Sequence, residues 1–102
     1  MTRVQNLRSN TGKAVANQFA ITTDSEVVFQ SYNSVIARID RKTHRVTLGR
    51  DWDFSKTTTR WLFEFLRGTL PTDDLAELGG LTSANIRRAI RNGVIAYNEN
   101  MR

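Results

Sequence analysis

Apolar residues change their spacing once along this chain, and that change limits the folds open to it. Between Val15 and Leu48 they fall in short alternating runs, the pattern of strands with one buried face. Beyond Ser55 they take helical spacing: Trp61, Leu62, Phe65 and Leu66 stand at i, i+1, i+4 and i+5, one stripe of a helix. A chain that begins with strands and ends with helices, without alternating between them, points to an α+β domain in which a helix covers one face of a sheet.

The strand-like part divides at its turn residues. Val15 to Thr22 alternates, with Val15, Phe19 and Ile21 expected on one face and Gln18 and Thr22 on the other. Thr23-Asp24-Ser25 is a turn, and Glu26 to Tyr32 is rich in β-branched and aromatic residues. After the break at Asn33-Ser34, Val35 to Asp40 sets Val35, Ala37 and Ile39 on one face. Arg41 to His44 is a polar turn, and Arg45 to Leu48 closes the series before Gly49. This spacing predicts a meander.

In the helical part, Ser55 or Thr57 suits an N-cap and Gly68 a stop. Trp52 and Phe54 are expected to extend the core contact of this helix. Pro71 opens a second phase, with helices over Thr72 to Leu78 and Ser83 to Asn92, a turn at Gly79-Gly80, and a short strand at Val94-Ile95. Asn98 to Arg102 is expected to fray. The predicted architecture is therefore α+β: a small antiparallel β-meander of three to four strands, covered by one helix and followed by a C-terminal helical hairpin. Residues 1–13 read as a flexible basic arm. Residues 14–102 read as one domain, with the sheet over 14–50, the helix over 55–67 and the hairpin over 72–95.

Composition excludes several functions. With no Cys there is no thiol nucleophile, disulfide or cysteine-ligated metal, and the single His44 cannot build a multi-histidine site. No glycine-rich phosphate loop is present, because Leu78-Gly79-Gly80-Leu81 lacks the following Lys-Ser/Thr. Asp51 and Asp53 are spaced to share a magnesium ion, but phosphodiester chemistry usually needs a further acid or lysine. The expectation is a non-catalytic protein without cofactor or metal. No secretory signal is visible at Met1 to Asn10, and no apolar run approaches the ~20 residues of a membrane span, so a cytoplasmic setting is expected.

Charge is unevenly distributed. Residues 1–50 carry eight bases and three acids, whereas residues 51–102 carry seven of each. Arg38, Arg41, Lys42 and Arg45 cluster with only Asp40 against them, a footprint suited to a polyanion. Further on, Leu75 to Ile90 resembles a DNA-binding helix-turn-helix. Ala76 is small where the helices would cross, Gly80 permits the turn, Leu81 fills the interhelix core and Thr82 caps the second helix. Ser83, Ala84, Asn85, Arg87, Arg88 and Arg91 would then point outward, and the first turns of such a helix reach base edges. On this reading Ser83, Asn85, Arg87, Arg88 and Arg91 contact nucleic acid, DNA rather than RNA, while Arg38, Arg41, Lys42 and Arg45 position its phosphates. A single-strand surface would instead stack bases on Phe29, Tyr32 or Trp52.

A longer resemblance runs through Ala14 to Phe19, Phe29-Gln-Ser-Tyr-Asn-Ser-Val-Ile-Ala37, Val46 to Leu48, Trp52-Asp-Phe-Ser-Lys-Thr-Thr58 and Phe65-Leu66. It is similar to a family of small uncharacterised proteins of phages, plasmids and other mobile elements. That resemblance implies a mobile-element origin and a basic C-terminal helix followed by a glycine and a short strand; it implies no activity. The functional expectation is a small basic nucleic-acid-binding protein, such as a regulator. The alternative is an accessory factor that binds a host protein, for instance as an inhibitor of a defence nuclease or polymerase. A homodimer through an edge strand such as Val15 to Thr22 is a further expectation.

Overall fold

The computed structural model describes residues 1–101. It is α+β, with six strands in one sheet and three helices. The strands are β1 (Arg3–Arg8), β2 (Ala14–Thr22), β3 (Glu26–Ser31), β4 (Ser34–Asp40), β5 (Val46–Gly49) and β6 (Ala96–Asn98); the helices, between β5 and β6, are α1 (Lys56–Thr69), α2 (Thr72–Leu78) and α3 (Ser83–Arg91). Sheet order follows chain order. β1 to β5 form an antiparallel meander, and β6 pairs parallel to β5 after the three helices have crossed the sheet.

The sheet is thus larger than the three to four strands expected. Arg3–Arg8 is not a flexible arm but pairs with β2, Val4 opposite Ile21 and Asn6 opposite Phe19. Its backbone groups find partners although its side chains are mostly exposed, so hydrogen bonding rather than burial holds it. This strand covers β2, and Val15 to Thr22 is therefore not the free edge on which a dimer was expected. The last strand falls at Ala96–Asn98 rather than Val94-Ile95, and the chain beyond it folds back, leaving Met101 buried rather than frayed. Arg102 lies outside the described residues.

Sheet faces follow from register and burial. Phe29 stacks on Phe65 of α1, with ring centroids 5.4 Å apart, and Ala20, Ala37 and Leu48 share its row toward the helices. Ile39 with Val46 forms the next core pair. β2 departs from simple alternation. Asn17 has φ +65°, and β2 places four residues against one of β1 between the pairs Asn6–Phe19 and Arg8–Ala14. This irregularity shifts the phase. Val15 and Ala20 pack toward the core, while Phe19 and Ile21 stand opposite Gln30 and Val28 on the face away from α1. The expected common face of Val15, Phe19 and Ile21 is corrected accordingly.

α1 buries Trp61, Leu62, Phe65 and Leu66, the stripe its spacing predicts, together with Thr58. Ser55 is its N-cap, its side chain accepting from the Thr58 N–H. The helix passes through Gly68, expected as its stop, and ends at Thr69. Trp52 is buried as expected, but Phe54 is 79% exposed. Among the described residues no helix is long and apolar enough to cross a membrane.

Candidate functional site

The basic residues singled out from sequence fall into separate grooves. At the β4–β5 turn, Asp40 Oδ1 accepts from the N–H groups of Lys42 (2.8 Å) and Thr43 (2.9 Å). These two backbone donors, that of Thr43 foremost, hold the Asp40 carboxyl below its usual range. Arg41 donates to the Thr23 carbonyl at 2.7 Å, tying the turn to the neighbouring loop. Arg38 stands opposite Val28 and Thr47, on the face away from α1, and pairs with Glu26. Arg45 and Arg38 line one shallow groove in company with Glu26 and Asp40, so its charges balance. Arg41 and Lys42 line another beside Asp24 and Asp40. His44 contacts Asp74 of α2 at 3.5 Å.

The α2–α3 turn has the helix-turn-helix order, but much of its polar chemistry is internal. Thr82 caps α3, accepting from the Asn85 N–H at 3.1 Å. Asn85 Nδ2 donates to the carbonyls of Gly79 and Gly80, both at 3.1 Å, and its Oδ1 accepts from Arg88 at 2.7 Å. Asn85 and Arg88 thus clasp the turn. Ala76, expected at the helix crossing, is exposed, whereas Leu78, Ile86 and Ala89 are buried and Leu81 packs against the core. Arg91 is exposed near the helix end. Arg87 turns toward the loop after β5, where Asp53 accepts from it at 3.4 Å and its guanidinium lies 5.6 Å from the Trp52 ring centroid.

Arg87 and Ser83 open onto a groove of about 690 Å³ between α3 and α1. Lys56, Arg60 and Arg67 of α1 line its other side. Four bases therefore face two acids, Asp53 and Glu64. Arg67 pairs with Glu64 and Arg87 with Asp53, and no described acid pairs with Lys56 or Arg60. Arg60 lies 4.9 Å above the Trp61 ring, which steadies its guanidinium while leaving rim N–H groups free to donate. Ser55 and Ser83, at the starts of α1 and α3, also line the groove. A phosphate entering this groove meets cations and the Ser83 side chain.

Sequence reasoning missed Lys56, Arg60 and Arg67. Their spacing of i, i+4 and i+11 places them along one stripe of α1. That signal was present on the polar side of the helix whose apolar side was read. Among the described residues no three of His, Asp or Glu gather to hold a metal ion, and Asp51 and Asp53 line different hollows.

No curated protein and no solved structure matches the chain. Residues 2–78, from the start of the sheet to the end of α2, match DUF8033, a family of unknown function. The match takes in about three quarters of the 102 residues, and the protein belongs to that family.

Proposed function

We propose that the protein is a small, non-catalytic nucleic-acid-binding factor of the mobile-element type, a regulator in its simplest form, and that its phosphate-binding surface is the groove between α1 and α3. The carrying observation is the groove itself: Lys56, Arg60, Arg67 and Arg87 against Asp53 and Glu64, with no described acid pairing with Lys56 or Arg60. A half of the chain that is neutral overall sets four of its seven bases here, which favours a polyanion over a neutral ligand. The groove supports a different surface from a recognition helix alone, since Asn85 and Arg88 are engaged in their own turn.

The test is fluorescence anisotropy with labelled duplex and single-stranded DNA and the matching RNA, from about 50 to 200 mM salt. Wild type is expected to bind with a steep salt dependence. The Lys56→Ala/Arg60→Ala variant should bind more weakly and lose log–log slope by about 0.7 to 0.9 per lost phosphate contact. Arg41→Ala/Lys42→Ala should change binding less. Unchanged affinity and slope in the Lys56→Ala/Arg60→Ala variant would remove the groove from the proposal.

A second reading, an accessory factor that docks on a host protein, draws on the sheet face away from α1. Val4, Ile21 and Val28 form a cross-strand row there, and Val4 is 60% exposed. Capture of a partner that survives nuclease treatment and is lost with Val4→Asp would favour this reading.

A further inference from the structure

We propose that a hollow beside the basic groove, rimmed by Tyr32 and Phe54, receives one unpaired nucleobase of a single-stranded nucleic acid. The inference rests on the phosphate-binding reading of the groove and extends it from charge to base recognition.

Two chain segments far apart in sequence meet in this hollow. The β3–β4 turn contributes Ser31, Tyr32 and Ser34, and the loop from β5 into α1 contributes Asp51, Phe54 and Thr58. The hollow measures about 200 Å³. That is below the roughly 300 Å³ at which sites for drug-sized ligands begin, so it suits one ring system and no more. Its rim is aromatic and open: Tyr32 is 57% exposed and Phe54 79%. Tyr32 holds φ +54°, a left-handed conformation that a tyrosine adopts only at a cost. Its N–H donates to the Asn17 carbonyl at 2.7 Å, and its carbonyl accepts from Gln30 at 2.8 Å. The strained backbone is thus fastened on both sides, and the ring remains outside the core.

The inner wall carries unmet hydrogen-bonding capacity. Ser31 is 4% exposed, and its Oγ has no partner among the described residues. Its cross-strand neighbour Gln18, which does not itself line the hollow, is 1% exposed with Oε1 also unpartnered. Buried polar atoms are rarely left so, and a ligand edge or ordered water ordinarily accounts for them. Asp51 adds a carboxylate, which only accepts. Two open aromatic rings select a flat ring, and the hydroxyls of Ser31, Ser34 and Thr58 with the Asp51 carboxylate offer its edge both donors and acceptors.

Charge decides between a nucleobase and an aromatic side chain of a protein. Phe54 lines both this hollow and the basic groove. A base held against Phe54 therefore leaves its phosphates toward Lys56 and Arg60, whereas a protein aromatic would bring those cations no counter-charge.

Labelled homopolymeric dA, dC and dT strands and a labelled duplex, titrated against wild type, Tyr32→Gly, Phe54→Ala and Lys56→Ala/Arg60→Ala, test the proposal. Glycine relieves the positive φ, so Tyr32→Gly should keep or raise the melting temperature while removing the ring. Its affinity for the single strands should fall about tenfold with the salt slope unchanged, as expected for lost stacking. Phe54→Ala should behave likewise. The Lys56→Ala/Arg60→Ala variant should instead lose slope. If Tyr32→Gly and Phe54→Ala bind as wild type while the double variant weakens, the groove stands and the base pocket is overturned. If wild type binds no strand even at low salt, the reading beneath it fails and the pocket falls with it. Loss of affinity in Tyr32→Gly for duplex and single strand alike would also overturn it, since a paired base cannot enter.

Discussion

At the scale of single residues, Asp40 shows how one carboxylate shapes a surface that charge counting alone misreads. It holds the N–H groups of Thr43 and Lys42, and these donors favour its ionised form. Its carboxyl is therefore lowered in the folded chain relative to the unfolded one. The stabilisation is complete above the unfolded value and is lost as pH falls through the folded one. The amide resonances of Lys42 and Thr43 should accordingly move together in an acid titration, with a midpoint below that of an unstructured aspartate. In Asp40→Asn the transition should vanish. A midpoint at or above the ordinary aspartate value would show that the turn bonds do not form in solution. The same turn explains why Arg41, Lys42 and Arg45 do not make one patch: Arg41 is tied to the Thr23 carbonyl, and Arg45 shares a groove with Glu26. Proximity in sequence was legible there, but Glu26 and Asp24, which face these bases beside Asp40, come from β3 and the loop before it. Phe54 escaped the sequence for a related reason, since an aromatic beside a buried Trp52 has the same composition whether it faces in or out.

At the scale of elements, the parts set by local chemistry were readable. The caps of α1 and α3 follow from Ser55 and Thr82 three residues before the N–H groups they hold. Thr82→Ala should cost about 1 kcal/mol in urea unfolding. Asn85→Ala should add less when combined with it than when made alone, because both residues order one turn. Additive costs would mean that the cap and the Asn85 clasp act independently. β3, β4 and β5 and the apolar stripe of α1 were likewise legible, because alternation and helical spacing are local signals. β1 was not. Its apolar residues, Val4 and Leu7, are three apart, and only pairing with β2 makes it a strand. The face reversal in β2 turns on Asn17, a single residue in a left-handed conformation that no alternation count registers. The basic stripe of α1 was readable as a stripe, but not as a groove. It becomes one only when α3 brings Arg87 and Ser83 against it, a contact between segments some thirty residues apart.

At the scale of the whole molecule, the last strand closes the fold, and its fit depends on one glycine. The three helices carry the chain back over the sheet so that β6 lies parallel to β5, with Thr47 opposite Ala96 and Gly49 opposite Asn98. The tail then turns inward: the Met101 N–H donates to the Asn98 carbonyl at 3.2 Å, and its side chain is buried. A Cβ on Gly49 would sit 2.9 Å from the Met101 carbonyl oxygen and 3.0 Å from that of Val35. Both are backbone atoms, so neither can turn aside as a flexible side chain would. Gly49→Ala should therefore destabilise by about 1–3 kcal/mol, the usual cost of overpacking a fitted interior. The tail is the weaker of the two neighbours, because β4 is paired on both sides while residues 99–101 belong to no strand. Strain should be released there first, as faster amide exchange in β6 and the tail with β3 and β4 unaffected. Deleting residues 99–102 separates the two contacts. If the Met101 carbonyl is the main obstacle, Gly49→Ala should cost clearly less in the shortened chain than in the full one, a coupling that a double-mutant cycle reads directly. Equal costs in the two backgrounds would place the obstacle at Val35, inside the sheet, and would mean that the tail rests on the fold without locking it.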